Sequence, residues 1–134
     1  MNIVKHKNKK PNKKEIDILW SVSDDKYYRI ILMLIYTGVR ISELLNLKKE
    51  NINSEEQYFD VIESKTENGI RKVPIADKIL PFFANWYNGT QNNEYLLFTS
   101  DAEHFEYRNY YDSYFKPLVS NLNFSHTPHF CRHA

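Results

Sequence analysis

Residues 36–47 read YTGVRISELLNL, and this stretch is the strongest single indication of the fold. The segment before it, residues 24–36, is apolar on nearly every face, which predicts a central, buried helix. Gly38 is expected to end that helix, because glycine readily adopts the left-handed conformation found at helix C-termini. A second, shorter helix is predicted from about Ile41. Arg40 therefore lies between two packed helices, where its planar guanidinium group can be held toward a phosphate or a carboxylate.

The chain upstream of this stretch begins with a basic arm and one further helix. Asn12 and Glu15 form a capping-box pattern, which predicts that a helix starts there. Asp24 is the predicted N-cap of the buried helix that follows. Residues 1–11 are expected to form an arm or linker, and residues 12–134 a single folded domain, because a chain of 134 residues suits one compact core.

The chain downstream predicts one β-hairpin and two more helices. Residues 57–63 (QYFDVIE) alternate in polarity, and residues 70–75 (IRKVPI) give a return strand after a turn signal at Glu67-Asn68-Gly69. Helices are predicted at residues 77–87 and about 103–121. The expected fold class is mainly α with a small antiparallel β-hairpin or sheet, an α+β arrangement. Two smaller expectations are an extended segment at residues 96–98 and a buried stripe on the last helix made of Tyr107, Tyr110, Tyr111, Tyr114, Phe115 and Leu118.

Composition excludes several classes of protein. No stretch approaches the roughly 20 apolar residues that span a bilayer, and the N-terminus MNIVKHKNKK lacks the apolar run of a secretory signal. Cys131 is the single cysteine, so an internal disulfide and a cysteine-rich zinc site are both excluded. A cytoplasmic location without membrane contact is the expectation.

The net charge of +1 conceals a basic arm on an acidic body. Six of the 18 basic residues lie within residues 1–14, which contain no acid, so 12 basic residues face 17 acidic ones in the rest. Such an arm can follow DNA phosphates through counterion release, but it can equally be a solvated linker end. The lysines expected to contact phosphates are Lys5, Lys7, Lys9 and Lys10.

Glu43 and Lys65 could both take part in catalysis, but their spacing in the sequence does not decide their roles. Glu43 lies one helical turn after Arg40 and could orient it, or the two could form an ordinary surface ion pair. Lys65 enters the hairpin turn, where it could donate a proton to a ligand or simply be a solvated lysine. Arg71 and Lys72 on the return strand are rivals for the role of Lys65.

The last eight residues, 127–134, read TPHFCRHA and predict the start of a helix. His129 and Arg132 are three residues apart and therefore share one face, with His133 following. Imidazole and guanidinium groups near free backbone N–H groups favour an anion such as phosphate. The alternative is a capped helix with a chance cluster of histidines.

Taken in order, the TGVRISELLNL stretch, a lysine-bearing hairpin and the H-x-x-R-H segment resemble the tyrosine recombinases, or phage integrases. The resemblance covers the chain from about Asn12 onward. It implies a site-specific DNA recombinase that cuts and rejoins double-stranded DNA through a 3′-phosphotyrosyl intermediate, with no metal and no cofactor. The catalytic residues that it implies are Arg40, Lys65, His129 and Arg132, with Glu43 and His133 in support.

Two departures accompany the resemblance. Ala134 stands where the family usually has a small hydroxyl residue, and the family's tyrosine nucleophile would lie beyond the last residue. No tyrosine in these 134 residues is assigned as the nucleophile, so the chain is expected to be part of a longer recombinase, oligomeric on DNA, and unable to cleave by itself. The alternatives are a non-catalytic DNA-binding or regulatory remnant of the same fold, and an unrelated helical module that binds other proteins.

Overall fold

The computed structural model describes residues 11–62, 69–89 and 93–122. The chain divides into two compact units. The helical unit takes the residues up to Ile41 together with those from Glu106 onward, and the sheet unit is Ser42–Phe105. No helix among the described residues has both the length and the apolar character needed to cross a membrane.

The helical unit begins with α1 (Lys13–Ser21). The predicted capping box is confirmed: the Asn12 side chain accepts from the Glu15 amide at 2.8 Å, and the Glu15 carboxylate accepts from the Asn12 amide at 3.0 Å. Both bonds satisfy amides that a helix N-terminus leaves without helical partners. Leu19 is fully buried.

Helix α2 (Lys26–Thr37) is the buried centre of the helical unit, as predicted. Its N-cap is Asp25 rather than Asp24, because the Asp25 carboxylate accepts from the Tyr27 amide at 2.8 Å. Its seven buried side chains occupy most of the helix surface. Gly38 ends the helix at φ 74°, the predicted left-handed conformation.

The tyrosine-rich helix begins later than predicted and is not α-helical throughout. It consists of α5 (Tyr107–Tyr110, capped by Glu106), a π-helical turn (Tyr111–Phe115) and α6 (Lys116–Asn121). Pro117 offers a physical reason for the π-helical turn. It has no amide hydrogen to donate four residues back, and its ring crowds that carbonyl.

The π-helical turn changes which side chains of this helix are buried. Tyr110 and Phe115 are fully buried, and Val119 is 4% exposed. The predicted stripe was wrong at Tyr107, which is 42% exposed. Tyr111, Tyr114 and Leu118 are partly exposed.

The described residues of the sheet unit form three antiparallel strands, one more than the sequence predicted. The order is β1 (Ile52–Asn53), β2 (Tyr58–Ile62), β3 (Ile70–Pro74), with Phe59 paired to Val73 and to Ile52. The predicted hairpin is therefore confirmed, although the turn at residues 63–68 lies outside the described residues. Strand β1 is too short to show an alternating pattern, which explains why it was missed.

Helices and loops cover the inner face of this sheet. Helix α3 (Ile41–Leu45) forms as predicted, whereas α4 (Leu80–Tyr87) begins three residues later than expected. The ring of Phe83 on α4 stacks on Phe59 with centroids 5.6 Å apart. The segment at residues 96–98 is buried but forms no strand; only Tyr95 makes an isolated bridge, with Lys48.

Candidate active site

Arg40 occupies the junction that the sequence predicted, directly after the glycine cap of α2 and directly before α3. Its neighbours Val39 and Ile41 are only 1% and 6% exposed, while Arg40 itself is exposed. Two buried anchors therefore fix the backbone on either side of a side chain that reaches solvent. This arrangement suits a guanidinium group that binds an anion from solution.

Glu43 lies in the first turn of α3, and its side chain is only 14% exposed. It makes an ion pair with Arg71, a partner that the sequence interpretation of Glu43 did not include. Nη2 of Arg71 lies 3.1 Å from Oε1 of Glu43, and Nη1 donates to Oε2 at 3.5 Å. The guanidinium fork thus spans both carboxylate oxygens, the geometry in which such pairs are strongest.

The position of Arg71 on β3 explains how it reaches α3. Arg71 pairs with Val61 across the sheet and shares a sheet face with Val73, and both valines are 5% exposed. Arg71 therefore starts on the core side of the hairpin, and its long side chain, 44% exposed, extends to Glu43. The alternation of residues 71, 73 and 75 was the sequence signal that could have predicted that Arg71 lies on the core side of the hairpin.

A cavity of about 240 Å³ adjoins Glu43, between α3 and the free edge of β2. Among the described residues, β1 pairs only with Tyr58 and Phe59, so β2 has no strand partner on that side from Asp60 to Ile62. The lining includes two acidic residues, Glu43 and Asp60, together with Ser42, Asn46, Leu47, Asn51, Val61 and Ile62. This acid-lined cavity is unsuited to a phosphate, so it does not extend an anion site.

The remaining predicted site residues lie outside the described residues. These are Lys65, His129, Arg132 and His133, together with the arm lysines Lys5, Lys7, Lys9 and Lys10. Their convergence with Arg40 stays a prediction. Within residues 11–62, 69–89 and 93–122, no group of three or more His, Cys, Asp or Glu side chains is arranged to hold a metal ion.

The model of the phage integrase family matches residues 9–134, nearly the whole chain. The chain belongs to the phage integrase family. Among curated relatives of this chain, the tyrosine recombinase XerA of Pyrococcus horikoshii is 33% identical over 85 residues, which are 63% of this chain and 30% of the relative. A second XerA, from Pyrococcus furiosus, is 38% identical over 74 residues.

Solved structures share the fold of this integrase chain. The crystal structure of XerA recombinase matches with a TM-score of 0.78 at 24% identity, over 92% of this chain and 47% of that one. A Tn1549 transposon integrase in complex with a circular intermediate DNA matches with a TM-score of 0.78 at 20% identity, over 94% and 51%. The predicted fold class is confirmed, and the chain spans about half of these structures and less than a third of the curated XerA.

Proposed function

We propose that this chain supplies the phosphate-binding part of a site-specific DNA recombinase active site. In this proposal residues 12–134 are part of the catalytic domain and residues 1–11 are a basic arm. The observation that carries it is the family match over residues 9–134, which includes an exposed Arg40 anchored by two buried neighbours. A DNA substrate is supported by the structurally similar Tn1549 integrase, which was solved with DNA.

The proposed chemistry is attack of a tyrosine hydroxyl on a backbone phosphate. The bond from phosphorus to the 5′-oxygen breaks, and a 3′-phosphotyrosyl bond forms that keeps the energy needed for rejoining. Arg40 and Arg132 clamp the non-bridging oxygens, where negative charge gathers in the transition state. Lys65 protonates the leaving 5′-oxygen, while His129 shares in proton transfer by accepting the proton of the tyrosine hydroxyl and hydrogen-bonds the phosphate, with His133 in support. Loss of one such fixed donor typically raises the barrier by about 3 to 4 kcal/mol.

Three further parts of the proposal concern the setting of this chemistry. We propose that the recombinase assembles as a homo-oligomer on double-stranded DNA and that it is located in the cytoplasm. The lysines of the arm would add DNA affinity that does not depend on base sequence, because they contact phosphates and release counterions in the same way beside every base.

DNA binding by the chain tests the first half of the proposal. Arg40→Ala should weaken binding of a fluorescent DNA duplex and lower the slope of log affinity against log salt by about one. Arg108→Ala is the matched control, because Arg108 is an exposed arginine on α5 and removes the same charge. Equal losses for the two variants would mean that Arg40 makes no special phosphate contact.

Strand cleavage tests the second half and separates the enzyme from its alternative. A nicked suicide duplex traps any phosphotyrosyl adduct for detection on a denaturing gel. The 134-residue chain alone should give none. If the reading frame continues past Ala134, its longer product should form the adduct and lose it on Arg40→Ala. A longer product that binds DNA and never forms an adduct supports the non-catalytic DNA-binding alternative.

A further inference from the structure

We infer that Arg71 is a positioning residue of the proposed phosphate site, acting through Glu43. The inference rests on the proposed function, since it concerns the surroundings of Arg40. Arg71 balances the charge of a carboxylate in the turn that follows Arg40, and it fastens strand β3 to α3. Neither the family match nor the sequence interpretation assigns it this role.

The first step is the burial of the Glu43 carboxylate. With 14% of the side chain exposed, the carboxylate has lost part of its hydration. A carboxylate in such a place requires hydrogen-bond donors and a positive charge to remain ionised. Arg71 meets both needs with two N–H groups at 3.1 and 3.5 Å. Removal of Arg71 therefore takes two N–H donors and one positive charge away from this carboxylate.

The second step concerns the hairpin. Strand β1 pairs with β2 only at Tyr58 and Phe59, so the part that contains Val61 and Arg71 is two-stranded. Two-stranded hairpins are marginally stable in water. The Arg71–Glu43 contact joins this part to α3. The contact thereby keeps the guanidinium charge of Arg71 beside the carboxylate of Glu43.

The third step is electrostatic. Glu43 lies in the first turn of α3, three residues after Arg40 in the sequence. An unbalanced carboxylate at this point would repel a DNA phosphate and compete with it for the guanidinium group of Arg40. A carboxylate balanced by Arg71 does neither. Arg71 therefore favours DNA binding without contacting DNA.

A cycle of charge variants tests this inference on the 134-residue chain, with a fluorescent DNA duplex as the probe. Arg71→Gln should weaken binding roughly three- to tenfold at low salt, because a single unbalanced charge acts over a short distance. The double variant Arg71→Gln/Glu43→Gln should return to within about twofold of the original affinity, because the unbalanced charge is gone. Glu43→Gln alone should bind at least as tightly as the original chain.

Each result has a clear alternative. A double variant as weak as Arg71→Gln would overturn the inference, since direct contact of Arg71 with DNA would then explain the loss. Weaker binding by Glu43→Gln would also overturn it, and that measurement stands even if Arg71→Gln does not fold. Lys48→Gln is the matched control, because it leaves Glu94 without its 3.2 Å ion pair and changes net charge equally; it should have less effect.

The same measurements keep this inference separate from the proposed function. If Arg40→Ala and Arg108→Ala bind DNA equally, the proposed phosphate site fails. If Arg40→Ala is specifically weak while Arg71→Gln binds normally, the site stands and the positioning role of Arg71 fails. Arg71→Lys refines the answer: it retains the charge without the fork, so its affinity should lie between those of the original chain and Arg71→Gln.

Discussion

The hydroxyl group of Tyr28 donates a hydrogen bond of 3.0 Å to the carbonyl oxygen of Leu118, a residue 90 positions further along the chain. This bond joins α2 to α6 within the helical unit. Burial is the main cause that raises the pKa of Tyr28 above its usual 10.0, and the charge of Asp25 adds to the effect. A hydrogen bond with Asn121 acts in the opposite direction.

Replacement of Tyr28 by Phe should have a pH-dependent effect on stability. At neutral pH the lost hydrogen bond should cost about 0.5 to 1.5 kcal/mol. A raised pKa in the folded state means that the contribution of Tyr28 is fully present below pH 10.0 and is lost as pH rises above it. The variant should therefore lose less stability than the original chain above pH 10.0. Urea unfolding at neutral and alkaline pH measures this; an identical alkaline loss would contradict it, and Tyr107→Phe is the exposed control.

Replacement of Gly38 by Ala should destabilise the chain through backbone strain alone. Gly38 has φ 74°, and a Cβ atom built there meets nothing within 4 Å. The cost should thus be about 1 to 2 kcal/mol, the usual penalty for a left-handed non-glycine residue. Gly38→Asn should cost less, because asparagine tolerates this conformation better. Chemical unfolding of both variants is the measurement, and equal costs would argue against strain as the cause.

Replacement of Asn12 by Ala should destabilise α1 by about 1 kcal/mol, since the Glu15 amide loses the side-chain oxygen that accepts its hydrogen bond. Lys13→Ala is the control. It removes only an ion pair with Asp17 whose two side chains are 88% and 63% exposed, and such pairs contribute little. Thermal unfolding should separate the two variants, and a larger effect from Lys13 would refute the capping interpretation.

Replacement of Phe59 by Ala should be the most destabilising of these changes, at about 3 to 5 kcal/mol. Phe59 is fully buried and stacks on Phe83, so truncation leaves a cavity in the sheet unit. Ile70→Ala on the neighbouring strand is the control, because Ile70 is 61% exposed and should cost far less. Comparable losses in equilibrium unfolding would mean that Ile70 is buried in solution.

Local sequence signals predicted the helix ends near Asn12 and Gly38 well, because each depends on one side chain and the backbone next to it. The same is true of the hairpin. The alternation of polar and apolar residues and the turn signal in the sequence both predicted two paired strands. For the same reason Asp24 and Asp25 were easily confused: both can cap a helix, and the choice depends on a single backbone turn.

Features that depend on distant partners could not be predicted in this way. The Arg71–Glu43 pair joins residues 28 positions apart, and nothing local to either residue indicates the other. Strand β1 exists because β2 offers it an edge. The exposure of Tyr107 depends on the tertiary packing around α5, which the local sequence does not specify. The catalytic roles of Arg40, Lys65, His129 and Arg132 were predicted from the family resemblance, and all four stay predictions.

The π-helical turn at Tyr111–Phe115 has a consequence for how this helix tolerates length changes. A π turn accommodates one more residue than an α turn, so the side chains after it are rotated by about 100° relative to an uninterrupted helix. Deletion of one residue within the turn, with Pro117 replaced, would reverse that rotation. Phe115 and Val119 would then leave the interior, and the Leu118 carbonyl would move out of reach of Tyr28. The extra residue therefore rotates α6 about its axis into the orientation that its packing requires.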